Sequence, residues 1–179
     1  FDGDDIYIAA SDELFCFNRD FNLQHSRRNR YLKHCHEICL MGRKLLLTST
    51  GHDSLLAYDL DEKAFTWGFH LQKIADKWSG FTFDPCRRSG PGRHNEHHIN
   101  MVHVDSNGIF LSGLRTNALL HLTHDHEVQV VCSLPAGTHN ARPYRDGVIF
   151  NDTASDHVRF VSRERGQRGF KIKQYESGE

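Results

Sequence analysis

No stretch of this 179-residue chain approaches the ~18 consecutive apolar residues of a membrane-spanning helix, and neither sign of charge dominates. With 22 Lys and Arg against 23 Asp and Glu there is no field to draw in nucleic acid or an anionic membrane, so neither is expected as a partner. The opening Phe1-Asp2-Gly3-Asp4-Asp5 has neither the basic start nor the apolar run of a signal peptide, and a chain in solution is expected. Cys16, Cys35, Cys39, Cys86 and Cys132 are odd in number and contain no C-x-x-C pair, which argues against a disulfide framework. Three of them lie in apolar strand patterns, where a free thiol packs as a small hydrophobe, and a reducing, cytoplasmic location is expected. Cys35 and Cys39 lie beside His34 and His36, yet no second ligand pair follows at zinc-finger spacing. Also missing are a G-x-S-x-G elbow, a phosphate loop and a dinucleotide fingerprint, so serine-triad and nucleotide chemistry have no positional support.

What the chain does have is histidine, 14 in all and dispersed. Three of them open the same pattern: a strand, a tight turn, a second strand ending in small polar residues, then an Asp or Asn that starts a third strand. The copies begin at His36, His98 and His139. The third-strand segments begin at Asp12, Asp53, Asn117 and Asp156, at intervals of 41, 64 and 39 residues, so the long interval carries an insertion of about 24. Met41-Gly42, Asn107-Gly108 and Asp146-Gly147 supply the turn residues that tolerate positive φ. A more polar fourth strand follows at Ala64–Leu71, Val128–Leu134 and Phe170–Tyr175.

Four short strands per unit of about 40 residues is the period of a β-propeller blade, and the repeat favours that fold over a sandwich or barrel. The expected fold class is therefore all-β and propeller-type, with about four four-stranded blades in a closed or incomplete ring. The expected divisions are a partial first blade over 1–33, a second over 34–72, an insertion over 73–97, a third over 98–137 and a fourth over 138–179. Only Leu71 to Trp78 carries a helix-like period. The insertion, with Trp78, Pro85, Arg87, Arg88, Arg93 and His94, runs straight into His98 and reads either as a lid over a site or as a solvated basic loop.

If the first strand of each blade lines a central channel, His36, His98 and His139 ring one mouth beside Thr50, His52, Arg115, Asn151 and Asp152. Three imidazoles suit Zn²⁺ or Fe²⁺ with an open coordination position, and Asp152 or Glu37 would serve as a supporting carboxylate or general base. Direct ligand contact without metal, and histidines that merely bond backbone carbonyls between blades, are the competing roles. An ungapped alignment sets Asn100 rather than His98 opposite the other two. Arg115 and Arg142 suit an anionic group, which a guanidinium grips bidentately.

The elements Cys35-His36-Glu37, Phe83-Asp84-Pro85 followed by His98-Ile99-Asn100, and His139-Asn140-Ala141-Arg142 with Asp146-Gly147 resemble a bacterial family of conserved hypothetical proteins with propeller-like repeats and no assigned role. The likeness covers roughly residues 33–160, with Glu37 and Asn140-Ala141 where that family is expected to carry Asp and Ser-Pro. It implies that His36, His98, Asn100, His139 and Arg142 act as a set.

Two functions stay open. One is a binding or catalytic site for a small polar, anionic molecule, metal- or histidine-dependent and of the hydrolase or lyase type. The other is a protein-interaction scaffold with structural histidines. Open blade edges make a homo-oligomer an expected partner arrangement.

Overall fold

A computed structural model describes residues 2–173, and all of its sheets are antiparallel. The first sheet has three strands, β1 (Ile6–Ala10), β2 (Glu13–Phe17) and β3 (Leu23–Arg28). The second has five, β4 (Ile38–Met41), β5 (Lys44–Ser49), β6 (Ser54–Asp59), β7 (Ala64–Ile74) and β8 (Lys77–Phe83). The third contains β9 (Ile99–Asp105), β10 (Gly108–Gly113), β11 (Ala118–Leu122) and β12 (Val128–Ser133). The fourth contains β13 (Thr138–Tyr144), β14 (Gly147–Asp152), β15 (His157–Ser162) and β16 (Gly166–Lys171). The last residues expected in that strand, 174 and 175, lie outside the described residues.

Each sheet is a meander of neighbours in sequence, as in a propeller blade. Central strands read as continuous apolar runs because both their faces are covered: Leu46, Leu47, Leu55 and Leu56 of the second sheet are fully buried. Burying one such side chain contributes roughly 1.5–3 kcal/mol. Three apolar clusters join successive sheets. Tyr7, Leu14 and Cys16 pack on Leu47, Leu56 and Tyr58; Leu46, Leu55 and Phe69 pack on Ile99, Leu111 and Leu120; Met101, Phe110 and Leu119 pack on Ala141, Val148 and Phe150. The four sheets thus follow one another as successive blades.

The repeated Asp or Asn has a backbone reason. Asp53, Asn117 and Asp156 all have positive φ, between 42° and 55°, where the second strand hands over to the third. Asp and Asn tolerate this left-handed region better than other residues with a Cβ. In the first unit the left-handed residue is Ser11, one position before Asp12. Of the expected turn glycines, Gly42 and Gly108 adopt positive φ, but in the last hairpin that role falls to Arg145. Gly147 is small for another reason, since a Cβ there would collide with the Val161 carbonyl across the strand pair.

The helix-like segment from Leu71 to Trp78 is instead the hairpin of β7 and β8, turned at Ala75 and Asp76, both with positive φ. A pair of left-handed residues gives the twist of a two-residue hairpin loop. Gly68 and Gly80 admit the rings of Phe83 and Phe69 over the neighbouring strand, where a Cβ would collide. The first part of the expected insertion is therefore a fifth strand of the second sheet. Residues 84–98 form a strap rather than a free lid. Asn29 Nδ2 donates to the Pro85 carbonyl, Tyr31 donates to the Arg87 carbonyl and accepts from Gly90 N–H, and His94 N–H donates to the Gly51 carbonyl.

Candidate functional site

The strap is tied down at its end by Asp53, whose fully buried carboxylate accepts from the N–H groups of Glu96, His97 and His98 at 2.6, 3.0 and 2.9 Å. This clamp presents His98 at the edge of the third sheet, in a left-handed conformation with φ 54°. On the second sheet, buried Thr48 holds the loop before β4, its hydroxyl accepting from the N–H groups of His36 and Glu37 at 3.0 Å each. The two anchored segments bring the rings of His36 and His98 to 5.3 Å between centroids.

His139 makes no ring contact with this pair among the described residues and bears on it only through charge. Burial depresses the affinity of His36 for protons first, and the charges of His139 and His34 depress it further. His98 is likewise lowered by burial and then by His36 and Arg115, with a further contribution from His139. Desolvation and like charge both favour the neutral imidazole.

The hydrogen bonds fix which ring nitrogen is free. Asn95 Oδ1 accepts from the Arg115 guanidinium at 3.1 Å, so it is an acceptor toward His98 Nδ1 at 3.2 Å as well. His98 therefore carries its proton on Nδ1 and leaves Nε2 as a lone-pair acceptor. His139 Nδ1 lies 3.0 Å from the Gly137 carbonyl, which can only accept, so its Nε2 is also the open nitrogen.

The set expected around these rings divides in two. Glu37 stays with them: Val102 N–H donates to its Oε2 at 3.2 Å, burial raises its pKa, and the charge of exposed Arg142 acts in the opposite direction. Asn100 is buried in β9, at 4% exposure, and neither its amide oxygen nor its nitrogen has a hydrogen-bond partner among the described residues. It is the extra residue where the β9–β10 register shifts between Ser112 and Gly113. Asn151 is half-buried and pairs in register with His139.

The other expected residues are committed elsewhere. Arg115, expected to grip a ligand, donates to the carbonyls of Glu96 and Asn95 at 2.8 and 2.5 Å and so holds the strap. His52 is buried under the strap, with Nδ1 2.9 Å from the Gly92 carbonyl and its ring edge-on to Tyr31. Thr50 donates to the Ile99 carbonyl at 2.5 Å. Asp152, expected as a base, is buried in an ion pair with Arg159 at 2.6 Å, and a hydrogen bond from Ser155 together with that guanidinium holds its pKa low. A carboxylate so engaged is a poor proton acceptor.

Nor do the three histidines occupy one repeat position. His98 stands opposite Leu114, three residues before the left-handed Asn117, while His139 stands opposite Asn151, five residues before the left-handed Asp156. The left-handed turns at His98 and Asn140 accompany this offset. Among the described residues no three His, Cys, Asp or Glu side chains are gathered as a metal-ion site. The five cysteines are free, and burial pushes the thiol of Cys35, the one next to His36, up to about 11, so it stays protonated at neutral pH.

Asp53, Thr48 and Asn95 were not singled out as site residues by the sequence. Only Asp53 left a signal there, as the start of a repeated strand.

The fold these sheets build is that of a β-propeller, a class that includes both enzymes and interaction domains. A catalytically inactive histidine-to-alanine variant of virginiamycin B lyase from Staphylococcus aureus, with quinupristin, matches 98% of this chain and 69% of its own length at 9% identity, with a TM-score of 0.59. The WD40 domain of Neurospora crassa Pan2 matches 96% of this chain and 63% of its own length at 8% identity, with a TM-score of 0.50. A chain of a mitotic checkpoint complex matches 94% of this chain and 61% of its own length at 9% identity, with a TM-score of 0.55. At such identities the likeness is one of fold. No protein-family model and no curated protein sequence matches the chain. Among the described residues no helix is long and apolar enough to cross a membrane.

Proposed function

We propose that the mouth formed by His36, His98 and His139, with Asn100, Glu37 and Arg142, binds a small polar, anionic molecule. His98 Nε2 then acts as proton acceptor in a lyase- or hydrolase-type reaction. The observation that carries this reading is the approach of His36 and His98 to 5.3 Å across the joint of two sheets, each ring held neutral by burial and neighbouring charge. A neutral imidazole with one nitrogen pinned is a suitable general base. The unpartnered amide of Asn100 supplies a donor and an acceptor, and Arg142 supplies positive charge. A lyase of the same fold loses activity when a histidine is replaced, which is support by analogy only. The free thiols support a reducing compartment such as the cytoplasm.

The test is mass spectrometry of small molecules released from untagged protein. An anionic species should accompany the wild type and be lost in the His36→Ala, His98→Ala, His139→Ala triple variant while the circular dichroism spectrum is retained. Retention of that species in the folded triple variant would contradict the reading. Elemental analysis of the same samples separates a metal-free site from one in which zinc or iron sits on the three imidazoles.

The scaffold reading draws on a different observation. Tyr144, Val161, Phe170 and Ile172 are exposed on or beside the fourth sheet, a surface suited to a protein partner or a second copy.

A further inference from the structure

Beside the histidine mouth lies a separate concavity of about 310 Å³ lined by Lys33, His34, Gly51, Arg93, His94 and Asn95. Among the described residues its lining contains no carboxylate, although two of its cations have acidic partners at the rim. Lys33 pairs with Asp12 at 3.3 Å, and His94 lies 3.3 Å from Glu96 and 3.7 Å from Asp53, whose carboxylate also accepts from three backbone N–H groups. Two of the basic side chains, His34 and Arg93, make no hydrogen bond or ion pair among the described residues. Asn95 spends its oxygen on Arg115 and His98, which leaves its NH₂ group as a donor. Gly51 keeps the floor open, since a Cβ there would stand 2.9 Å from Lys33 Cβ and Cγ and 3.3 Å from the His34 ring.

We infer that this concavity is a binding subsite for the phosphoryl group of a small soluble molecule. The lining offers the guanidinium of Arg93, the imidazole of His34 and the amide NH₂ of Asn95, beside a Lys33 ammonium shared with Asp12. That arrangement suits a tetrahedral, multiply charged oxyanion better than a planar carboxylate, which one guanidinium would satisfy. His34 links the two places, because it lines the concavity and its charge also lowers the pKa of His36. A molecule anchored here by its phosphoryl group would extend toward the histidines. That last step rests on the function proposed above, whereas the subsite itself does not.

The experiment is calorimetric titration of the whole chain with inorganic phosphate at constant ionic strength. Saturable binding is expected, weakened by about tenfold or more in Arg93→Ala and in Gly51→Ala, and changed by less than about twofold in His139→Ala. Arg93 is exposed and has no hydrogen bond or ion pair among the described residues, so its replacement is expected to leave the fold intact. Absence of saturable binding, or equal binding by Arg93→Ala, would overturn the inference. So would a loss in His139→Ala as large as that in Arg93→Ala, which would relocate the anion to the histidine mouth. Arg93-dependent binding seen only with phosphatidate vesicles, and not with free phosphate, would overturn the assignment to a soluble ligand. Intact phosphate binding in a protein that fails the histidine test would leave this subsite standing alone.

Discussion

The hand-over from second to third strand is built twice from the same parts and put to two different uses. In the second sheet it is a short 3₁₀ turn, Thr50–His52, ending on left-handed Asp53; in the fourth it is Thr153–Ser155, ending on left-handed Asp156. Each turn has a threonine that donates to a carbonyl, Thr50 to Ile99 in the next sheet and Thr153 to Gly137 at the start of its own. Yet Thr50, His52 and Asp53 are buried, whereas none of the residues 153–155 is. The difference is the strap. It crosses the first turn, takes hydrogen bonds from His52 and Tyr31, and ends in the carboxylate of Asp53. The repeat thus sets a backbone geometry, and a neighbouring insertion converts one copy of it into the support of a site.

Replacing each left-handed aspartate by glycine isolates that difference, because glycine adopts positive φ freely and removes only the side chain. Asp53→Gly should cost about 3 kcal/mol or more, since three buried N–H groups lose a charged acceptor. Equilibrium urea denaturation would measure it, and a loss below about 1 kcal/mol would mean that the strap is not held by this carboxylate.

Tyr31→Phe keeps the ring that packs against Phe83 at 5.0 Å and removes the hydroxyl that both donates to Arg87 and accepts from Gly90. Its expected cost is about 1–2 kcal/mol, with hydrogen exchange faster at Gly90 than in the fourth sheet. Asp156→Gly should cost less than Asp53→Gly in the same urea experiment, since the Asp156 side chain is only half-buried and holds no strap.

Acid should expose the same contrast. Burial lowers the pKa values of His70 in β7 and of His97 at the end of the strap, as it does those of His36 and His98 at the mouth. A depressed histidine binds fewer protons folded than unfolded, so stability falls as pH drops through the ordinary imidazole range, about pH 7 to about pH 5. Thermal unfolding should show a decreasing Tm over that interval, with a shallower decrease in His97→Gln. An unchanged slope would mean that His97 is not desolvated in the folded chain.

Much of the architecture is written in local signals. The left-handed positions of Asp53, Asn117 and Asp156, the turn at Gly42 and the buried runs of β5 and β6 all follow from residue type and spacing. The β7–β8 hairpin was hidden because Leu71, Ile74 and Trp78 fall at helix-like spacing while its turn residues, Ala75 and Asp76, carry no glycine signal. At the site, the histidines stood out by type, but their partners did not. The Asp53 clamp closes on backbone N–H groups, which no sequence distinguishes, and the fate of Arg115 depends on carbonyls of a segment about 20 residues away. His36 and His98 meet through a left-handed turn and a loop anchored on Thr48, not through equal positions in the repeat.

The account depends on imidazoles from separate sheets sharing one electrostatic environment, and NMR titration of the His98 ring tests this directly. In the wild type its midpoint should lie below the ordinary imidazole value, and it should rise in His36→Asn and, by less, in His139→Asn. A His98 midpoint that ignores both replacements would show that the rings do not converge, and the proposed site would not exist.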